Sequence, residues 1–187
     1  MIEEELKIHG SIFLLLNKFI DHHLSYGIWD QLLSESGASD VAFDVKENYP
    51  MGLFESILNA AGKRINLNKN QLEEKFGEYL VPDLLISYAA FLKPEWKTFE
   101  LLEHTETVMH HAVRQLNSAA SPPILHIFKV DETLLVIDYY SKRKMSCLAI
   151  GIIKGIATFY NESDKIKILP ATSPDDERVQ IRVEFKN

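Results

Sequence analysis

Apolar residues recur at helical spacing through most of the first 117 positions of the chain. Where they fall three and four residues apart they predict amphipathic helices, because such positions share one face of an α-helix. Gly27, Gly37 and Gly62 mark helix ends, and Pro50 marks a helix start. The predicted helices cover about 9–24, 28–37, 50–62, 68–80 and Thr98 to Asn117.

The pattern changes after the Ser-Pro-Pro sequence at 121–123. The segments that follow predict two strands, one helix and two more strands, at 124–130, 134–140, 146–160, 165–169 and 178–185. Small residues in the predicted helix, such as Gly151 and Gly155, allow close approach of another backbone or of a flat ligand. The chain is therefore predicted to be α+β, with an N-terminal helical lobe followed by a C-terminal lobe whose antiparallel sheet has the order β-β-α-β-β.

Composition and charge limit the class of protein further. The 187 residues are 46% hydrophobic and 25% charged, which is typical of a globular protein with a sizeable core and excludes fibrous, disordered and disulfide-rich classes. The single cysteine, Cys147, permits neither an internal disulfide nor a multi-cysteine zinc site. The net charge of −7 disfavours a general nucleic-acid binder, although residues 141–187 carry nine basic side chains against six acidic ones.

The sequence contains no recognisable targeting or membrane-spanning segment. The first five residues are acidic where a secretory signal would be basic. The apolar run at 12–16 is far shorter than the ~20 residues that a spanning helix needs. We expect a cytoplasmic protein without membrane contacts.

Seven histidines raise the question of a metal site. Two adjacent pairs, at 22–23 and 110–111, cannot chelate one ion from one helix face, since neighbours on a helix point about 100° apart. His104 and His110 also diverge, and the absence of a His-Glu-x-x-His spacing disfavours a zinc site of that kind. By position alone, His110 is interpreted as a histidine at the boundary of the core rather than a ligand.

Two hydroxyls and a guanidinium occupy alternate positions at the end of the second predicted strand. They belong to Tyr139, Ser141 and Arg143, which the strand period of two places on one face, with Tyr140 and Lys142 on the other. Such a set is suited to holding carboxylates or phosphates through charge-assisted hydrogen bonds. A solvated strand end is the alternative, and the spacing alone does not separate the two.

Motifs of the common enzyme classes are missing from the sequence. Cys147 lies in a hydrophobic predicted helix with no histidine nearby, so it is interpreted as a small buried hydrophobe. The sequence contains no Gly-x-Ser-x-Gly elbow and no glycine-rich phosphate loop. No catalytic residue is predicted, and the chain is not expected to be an enzyme.

Taken in order along the chain, these motifs resemble the heme-nitric oxide/oxygen-binding (H-NOX) family, whose stand-alone bacterial members are similar to the heme domain of soluble guanylate cyclase. The Tyr-x-Ser-x-Arg pattern at 139–143 carries the resemblance, and other segments extend it over nearly the whole chain. These segments are Gly-Ser-Ile at 10–12, Pro-Pro at 122–123, Gly-Ile-Ile-Lys-Gly at 151–155 and Arg-Val-Glu-Phe-Lys at 182–186. The resemblance implies one domain over 1–187, with a distal helical lobe over about 1–65, a proximal lobe over about 66–187, and heme between them.

The resemblance also implies the heme ligands. In the family, a helix histidine binds the iron thirteen residues before a proline that presses on the heme, and counting back from Pro123 gives His110. His110 is therefore the implied axial ligand of heme b (iron protoporphyrin IX). Tyr139, Ser141 and Arg143 are the residues implied to hold the two heme propionates.

The other candidate ligands receive no heme role from the resemblance. His111 is expected to face away from the heme, and His104 is expected to be structural. Some relatives bind zinc through several cysteines near the C-terminus, and with Cys147 alone that second site is not expected here.

The gas-binding side is expected to be aliphatic. Oxygen-binding members carry a tyrosine nine residues after the first motif tyrosine, and Leu148 occupies that position here. The other positions that the alignment assigns to this wall are Ile12, Leu16, Leu80 and Leu84. Bound O₂ gains partial negative charge and benefits from a hydrogen-bond donor, whereas NO and CO need one much less, so the wall favours NO and CO.

The resemblance implies a sensor that acts on another protein. NO binding is expected to weaken or break the bond from iron to His110, so that the helix carrying His110 and the helical lobe shift. The expected partner is a histidine kinase or a cyclic-dinucleotide enzyme on a separate chain. The alternatives are a heme-free protein-interaction domain on the same fold, with His110 a core residue, and an oxygen-binding heme protein.

Overall fold

Most helices and strands form where the apolar pattern predicts them, although the helix predicted over 68–80 continues through Pro82 to Ser87. The α+β class is confirmed. The computed structural model describes residues 5–116 and 119–186. The helices are α1 (Gly10–His23), α2 (Ile28–Glu35), α3 (Met51–Ile65), α4 (Lys69–Ser87), α5 (Thr98–Glu103), α6 (His111–Leu116) and α7 (Ser146–Phe159). The strands are β1 (Lys7–His9), β2 (Asn48–Pro50), β3 (Ile124–Asp131), β4 (Leu134–Tyr140), β5 (Ile166–Pro170) and β6 (Arg178–Phe185). Asn117, the predicted end of the fifth helix, and residues 1–4 of the acidic N-terminus lie outside the described residues.

A two-stranded antiparallel ribbon of β1 and β2 is the element that the apolar pattern does not predict. Each strand has only three residues, too few for a period of two to be recognised. At the junction of β1 and α1, Gly10 has no room for a side chain, since a Cβ there would lie 2.0 Å from the carbonyl oxygen of Asp44. The Gly10 N–H donates to the carbonyl of Glu47 over 2.9 Å. This close approach fixes the start of α1 against the loop that precedes β2.

The other four strands form one antiparallel sheet in the order β3-β4-β6-β5. Alternate residues of its two central strands are buried on one face, namely Leu135, Ile137, Tyr139, Val179, Ile181 and Val183. Ile150, Ile153 and Ile156 of α7 belong to the same apolar cluster and cover that face. The sheet thus carries Tyr139 into the interior of the protein.

Helices α4 and α7 pack with their backbones almost in contact. A Cβ on Gly77 of α4 would lie 2.3 Å from the carbonyl oxygen of Leu148, and a Cβ on Gly151 of α7 would lie 2.0 Å from that of Glu74. The small residues of the helix predicted over 146–160, which is α7, therefore allow close approach of another backbone. This close contact, called here the seam between α4 and α7, holds the second half of the chain against α4.

The predicted single helix from Thr98 to Asn117 is interrupted. Between α5 and α6 the segment Thr105–His110 is a π-helix. Side chains compete there for helical carbonyls: the Thr105 hydroxyl donates to the Leu101 carbonyl over 2.8 Å, and Nδ1 of His104 lies 2.9 Å from the Glu100 carbonyl oxygen. Such back-bonding loosens the regular helical ladder. His110 is the last residue of the π-helical segment, a kind of irregularity frequent at functional sites.

Two apolar clusters make up the core, and α4 contributes to both. Leu72, Phe76 and Leu80 belong to the cluster of the N-terminal helices, whereas Val81 and Leu85 belong to the cluster of the sheet. The two clusters therefore meet along one continuous helix rather than at a linker. Among the described residues, no helix is both long and apolar enough to cross a membrane.

Candidate functional site

A cavity of about 2100 Å³ lies where the two apolar clusters meet. Its wall combines residues of α1, α4, the π-helical segment, β4 and α7, and most of these are aliphatic. Polar and charged residues also line the cavity, among them His110, Tyr139 and Arg143. The cavity thus brings together residues that are remote from one another in the sequence.

His110 lies in the wall of the cavity with most of its side chain buried. Its Nδ1 atom lies 2.9 Å from Oε2 of Glu106, one turn earlier. Burial is the main cause that lowers the pKa of His110, against the opposing effects of Glu106 and the Pro123 carbonyl. Burial thus favours the neutral imidazole, and because an ionised carboxylate can only accept, the proton of that form lies on Nδ1. That tautomer leaves the Nε2 lone pair available to a metal.

Glu106 is held by three donors from different parts of the chain. Its Oε2 atom accepts from His110 and from the backbone N–H of Leu125 over 3.1 Å, and Arg114 Nη2 lies 2.9 Å from Oε1. Burial opposes ionisation, yet these hydrogen bonds hold the pKa of Glu106 below its usual value. Sequence reasoning missed Glu106 and Arg114, although each is four residues from His110 and such spacing places side chains on one helix face.

Pro123 lies close to His110 in the structure. Both residues line the cavity, and the Pro123 carbonyl interacts with the His110 imidazole. The neighbouring histidines point elsewhere. His111 is exposed, and His104 stacks on Trp96 with ring centroids 4.7 Å apart.

Tyr139 and Ser141 form a buried pair of hydroxyls at the end of β4. Burial is the main cause that raises the pKa of Tyr139, and the Ser141 hydroxyl acts against this effect. Ser141 Oγ accepts from the backbone N–H of Arg143 over 3.2 Å. Tyr139 lines the cavity, whereas Ser141 lies behind it.

Arg143 reaches the cavity from a turn rather than from the face of a strand. β4 ends at Tyr140, and the Lys144 N–H donates to the Ser141 carbonyl over 3.1 Å, so the period of two does not extend to Arg143. The guanidinium donates to the backbone carbonyls of Lys7, over 3.3 Å, and Ser121. Burial lowers the pKa of Arg143, and among the described residues no carboxylate lies within 4.0 Å of it.

Four of the five positions expected in the aliphatic wall line the cavity: Ile12, Leu80, Leu84 and Leu148. Leu16 does not, because it is fully buried in the N-terminal apolar cluster. Leu15 lines the cavity in its place. Both leucines lie within one turn of Ile12, so helical spacing alone could not decide which of them faces inward.

Within the described part of the chain, neither Cys147 nor a cluster of ligating side chains provides a reactive thiol or a metal site. Cys147 is buried, and burial raises the pKa of its thiol to about 11, so it is a thiol and not a thiolate at neutral pH. No cluster of three or more His, Cys, Asp or Glu side chains suited to a metal ion occurs among residues 5–116 and 119–186.

A buried carboxyl, Glu73 on α4, is a feature that sequence reasoning missed. It is 1% exposed, and within the described part of the chain its Oε1 atom has no hydrogen-bond partner. Lys69 Nζ lies 3.8 Å from that oxygen. Burial raises the pKa of Glu73 to about 7, and the negative charges of Glu55 and Asp175 add to the effect.

Comparisons with known proteins agree on one family. A family profile described as Haem-NO-binding matches residues 9–168. A solved S. oneidensis H-NOX protein in the Fe(II)NO ligation state has a TM-score of 0.88 at 20% identity, covering 96% of this chain and 100% of that one. The Shewanella oneidensis domain in the Fe(II)CO state has a TM-score of 0.85 at 20% identity, with coverages of 96% and 99%. The unliganded Fe(II) protein from K. algicida has a TM-score of 0.82 at 15% identity, with coverages of 96% and 97%. No curated protein matches the chain.

Proposed function

The chain belongs to the Haem-NO-binding (H-NOX) family of heme-based gas sensors, which are sensor domains and not enzymes, and from this premise we propose that it binds heme b in the cavity and senses NO. His110 is the proposed axial ligand. CO is the second proposed gas ligand, since relatives have been solved with NO and with CO.

One observation supports this proposal: a buried histidine, whose Nδ1 is hydrogen-bonded to Glu106, lines a large and largely aliphatic cavity together with an arginine that no carboxylate of the described residues contacts. A porphyrin needs an apolar slot, one nitrogen ligand for iron and cationic or hydroxyl partners for its two carboxylates. The cavity offers each of these. Bound heme would supply an iron atom with an open coordination position for a diatomic gas.

Tyr139, Ser141 and Arg143 are the residues proposed to hold the propionates. A carboxylate is a stronger partner for the Arg143 guanidinium than the carbonyls of Lys7 and Ser121 that it now contacts. The Tyr139 hydroxyl can donate from the wall of the cavity, and Ser141 fixes both neighbours from behind. The three residues thus have unequal roles, with Ser141 acting through the other two.

Pro123 is proposed to contact the heme on the side of His110. On the opposite side, Ile12, Leu80, Leu84 and Leu148 are proposed to form the gas pocket, with Leu15 taking the role first assigned to Leu16. None of these side chains can donate a hydrogen bond. A pocket of this kind favours NO and CO over O₂, because only bound O₂ depends strongly on a donor.

The signal is proposed to leave the domain through the segment that carries His110. This segment is joined to β3 by Glu106 and Leu125, so a displacement of the imidazole would be felt by the sheet. The proposed receiver is a histidine kinase or a cyclic-dinucleotide enzyme on a separate chain, and the proposed location is the cytoplasm. The distal and proximal lobes proposed at about 1–65 and 66–187 would move relative to each other about α4.

Heme titration of two matched variants tests the proposal. His110→Gly should abolish the Soret band of histidine-ligated ferrous heme, and millimolar imidazole should restore it by filling the space left by the side chain. His111→Gly removes the same group from the exposed side of the same helix and should bind heme like the wild type. Unchanged spectra in His110→Gly would rule out ligation by His110, and wild-type protein that takes up no heme would favour a heme-free interaction domain.

A further inference from the structure

The carboxylate of Glu106 is the polar group in closest contact with the proposed iron ligand. It lies 2.9 Å from Nδ1 of His110 and is pinned by Arg114 and by the backbone N–H of Leu125. These contacts come from α6 and β3, so the carboxylate cannot swing away without breaking hydrogen bonds to two elements. A fixed anion therefore lies against the Nδ1 side of His110, outside the lining of the cavity.

We propose that Glu106 sets the strength of the bond between His110 and the heme iron, and that Arg114 attenuates this effect. The proposal rests on the proposed function, since it requires His110 to be the ligand. It assigns Glu106 a positioning and tuning role, because its carboxylate acts on the metal only through the imidazole.

The physical basis is the charge of the hydrogen-bond acceptor. An imidazole that donates Nδ1–H to a carboxylate is more electron-rich at Nε2 than one that donates to a neutral carbonyl. A more basic ligand binds iron more strongly and stabilises its higher oxidation state. Glu106 should thus oppose the release of His110 and lower the reduction potential of the heme.

Arg114 acts in the opposite direction on the same carboxylate. Its guanidinium lies 2.9 Å from Oε1 and withdraws charge from the group that accepts from His110. The Arg114 side chain is more exposed than those of Glu106 and His110, so it can be changed with less disturbance of the core. Removing the charge of Glu106 and removing that of Arg114 should therefore have opposite effects on the bond between His110 and the heme iron.

A purely structural role for Glu106 is the competing explanation. The carboxylate also joins the π-helical segment to β3, and loss of that connection alone would lower stability in either variant. Stability by itself therefore does not separate the explanations. The two explanations are separated by a property of the iron that rises in one variant and falls in the other.

The experiment compares Glu106→Gln, Arg114→Met and the control Glu103→Gln, each loaded with heme. The control removes one carboxylate from the same stretch of helix, and no hydrogen bond from Glu103 to His110 occurs in the described structure. Three quantities are measured: the iron–histidine stretching frequency by resonance Raman, the reduction potential of the heme, and the rate at which the iron–histidine bond breaks under NO. In heme-free wild-type protein, the Nδ1 proton of His110 should also show the strongly downfield NMR shift of a proton bonded to a carboxylate.

Glu106→Gln should lower the stretching frequency, raise the potential and break the bond roughly tenfold faster, which is the lower end of what losing the partner of a metal-ligating histidine costs. Arg114→Met should move all three quantities the other way.

If both variants match Glu103→Gln while His110→Gly still loses the ligand band, the tuning role is wrong and the proposed function stands. If His110→Gly leaves the spectrum unchanged, both fail. If Glu106→Gln does not fold, the direction of the Arg114→Met shift decides, and a shift towards a weaker bond would overturn the proposal.

Discussion

Glu73 is the residue whose chemistry fits its surroundings least. Its carboxyl is buried on α4, and the nearest cation, Lys69, is beyond hydrogen-bond distance and is shared with Glu55 at 2.6 Å. Ionised Glu73 would thus be a poorly compensated charge in the core. Burial accordingly raises its pKa to about 7.

A raised carboxyl pKa makes folding depend on pH in a definite direction. Between the unfolded pKa of 4.5 and the folded pKa of about 7, the native state holds a proton that the unfolded state has lost. The folded protein is therefore most stable, as far as Glu73 is concerned, below pH 4.5. This contribution to the free energy of unfolding is lost as the pH rises through 7. The shift corresponds to about 3 kcal/mol in the free energy of unfolding.

Replacing Glu73 by Gln should remove this dependence. We measure the free energy of unfolding of Glu73→Gln and of the wild type in urea at constant ionic strength, at pH 4.5 and at pH 8. The difference between variant and wild type should be about 3 kcal/mol more in favour of the variant at pH 8 than at pH 4.5. The matched control is Glu74→Gln, which removes a half-exposed pair with Lys154 and should cost about 0–1 kcal/mol. Equal pH profiles for wild type and Glu73→Gln would show that Glu73 has the same pKa in the folded and unfolded protein, and would contradict the shift.

At the residue scale, the sequence predicts which residues line the cavity better than it predicts how their side chains are oriented. Counting from Pro123 leads to His110, and the structure places both in the cavity wall. Helical spacing does not separate Leu15 from Leu16, because their difference depends on how α1 is rotated in the assembled protein. Arg143 is likewise beyond the end of β4, where a turn and not the strand period sets its direction.

At the scale of elements, the seam between α4 and α7 supports the cavity. Gly77 and Gly151 let the two helix backbones approach until a Cβ would overlap carbonyl oxygens. Cavity residues lie on both helices, with Leu80 and Leu84 on α4 and Leu148 on α7. The width of this part of the cavity therefore depends on the closeness of the seam.

A methyl group in the seam should force the helices apart. Gly151→Ala places a Cβ about where the Glu74 carbonyl oxygen lies, so we expect it to destabilise the protein by about 1–3 kcal/mol and to weaken heme binding. Gly52→Ala is the control, because its added Cβ meets no atom within 4 Å and alanine favours helix by about 1 kcal/mol. Both are measured by urea unfolding and heme titration. A Gly151→Ala protein as stable as the wild type would contradict the tight packing of the seam.

The π-helical segment shows what a sequence pattern cannot resolve. Residues 98–117 satisfy the helical period, yet Thr105–His110 departs from it. Competition by threonine and histidine side chains for carbonyls is local, but the contact of Glu106 with Leu125 joins distant parts of the chain. The helical spacing of apolar residues predicts which face of a helix is buried. It does not predict a hydrogen bond between distant parts of the chain, such as the one that accompanies this π-helical segment.

At the scale of the whole molecule, the cavity is the place where the two apolar clusters meet. α4 belongs to both clusters, and Arg143 connects the β1 ribbon at Lys7 with the Ser121 region that leads into β3. His110 and Pro123 face the same space from the side of the sheet. A ligand in the cavity would therefore contact residues of both apolar clusters.

The absorption spectrum of the ferrous protein, recorded before and after NO and again in air, tests the central claim most directly. We expect a Soret band that shifts on addition of NO and no stable oxygen-bound spectrum in air, because the aliphatic wall at Leu148 provides no donor for O₂. A stable oxygen-bound spectrum would contradict the preference for NO. A spectrum without heme, or one that NO leaves unchanged, would contradict the proposed sensor itself.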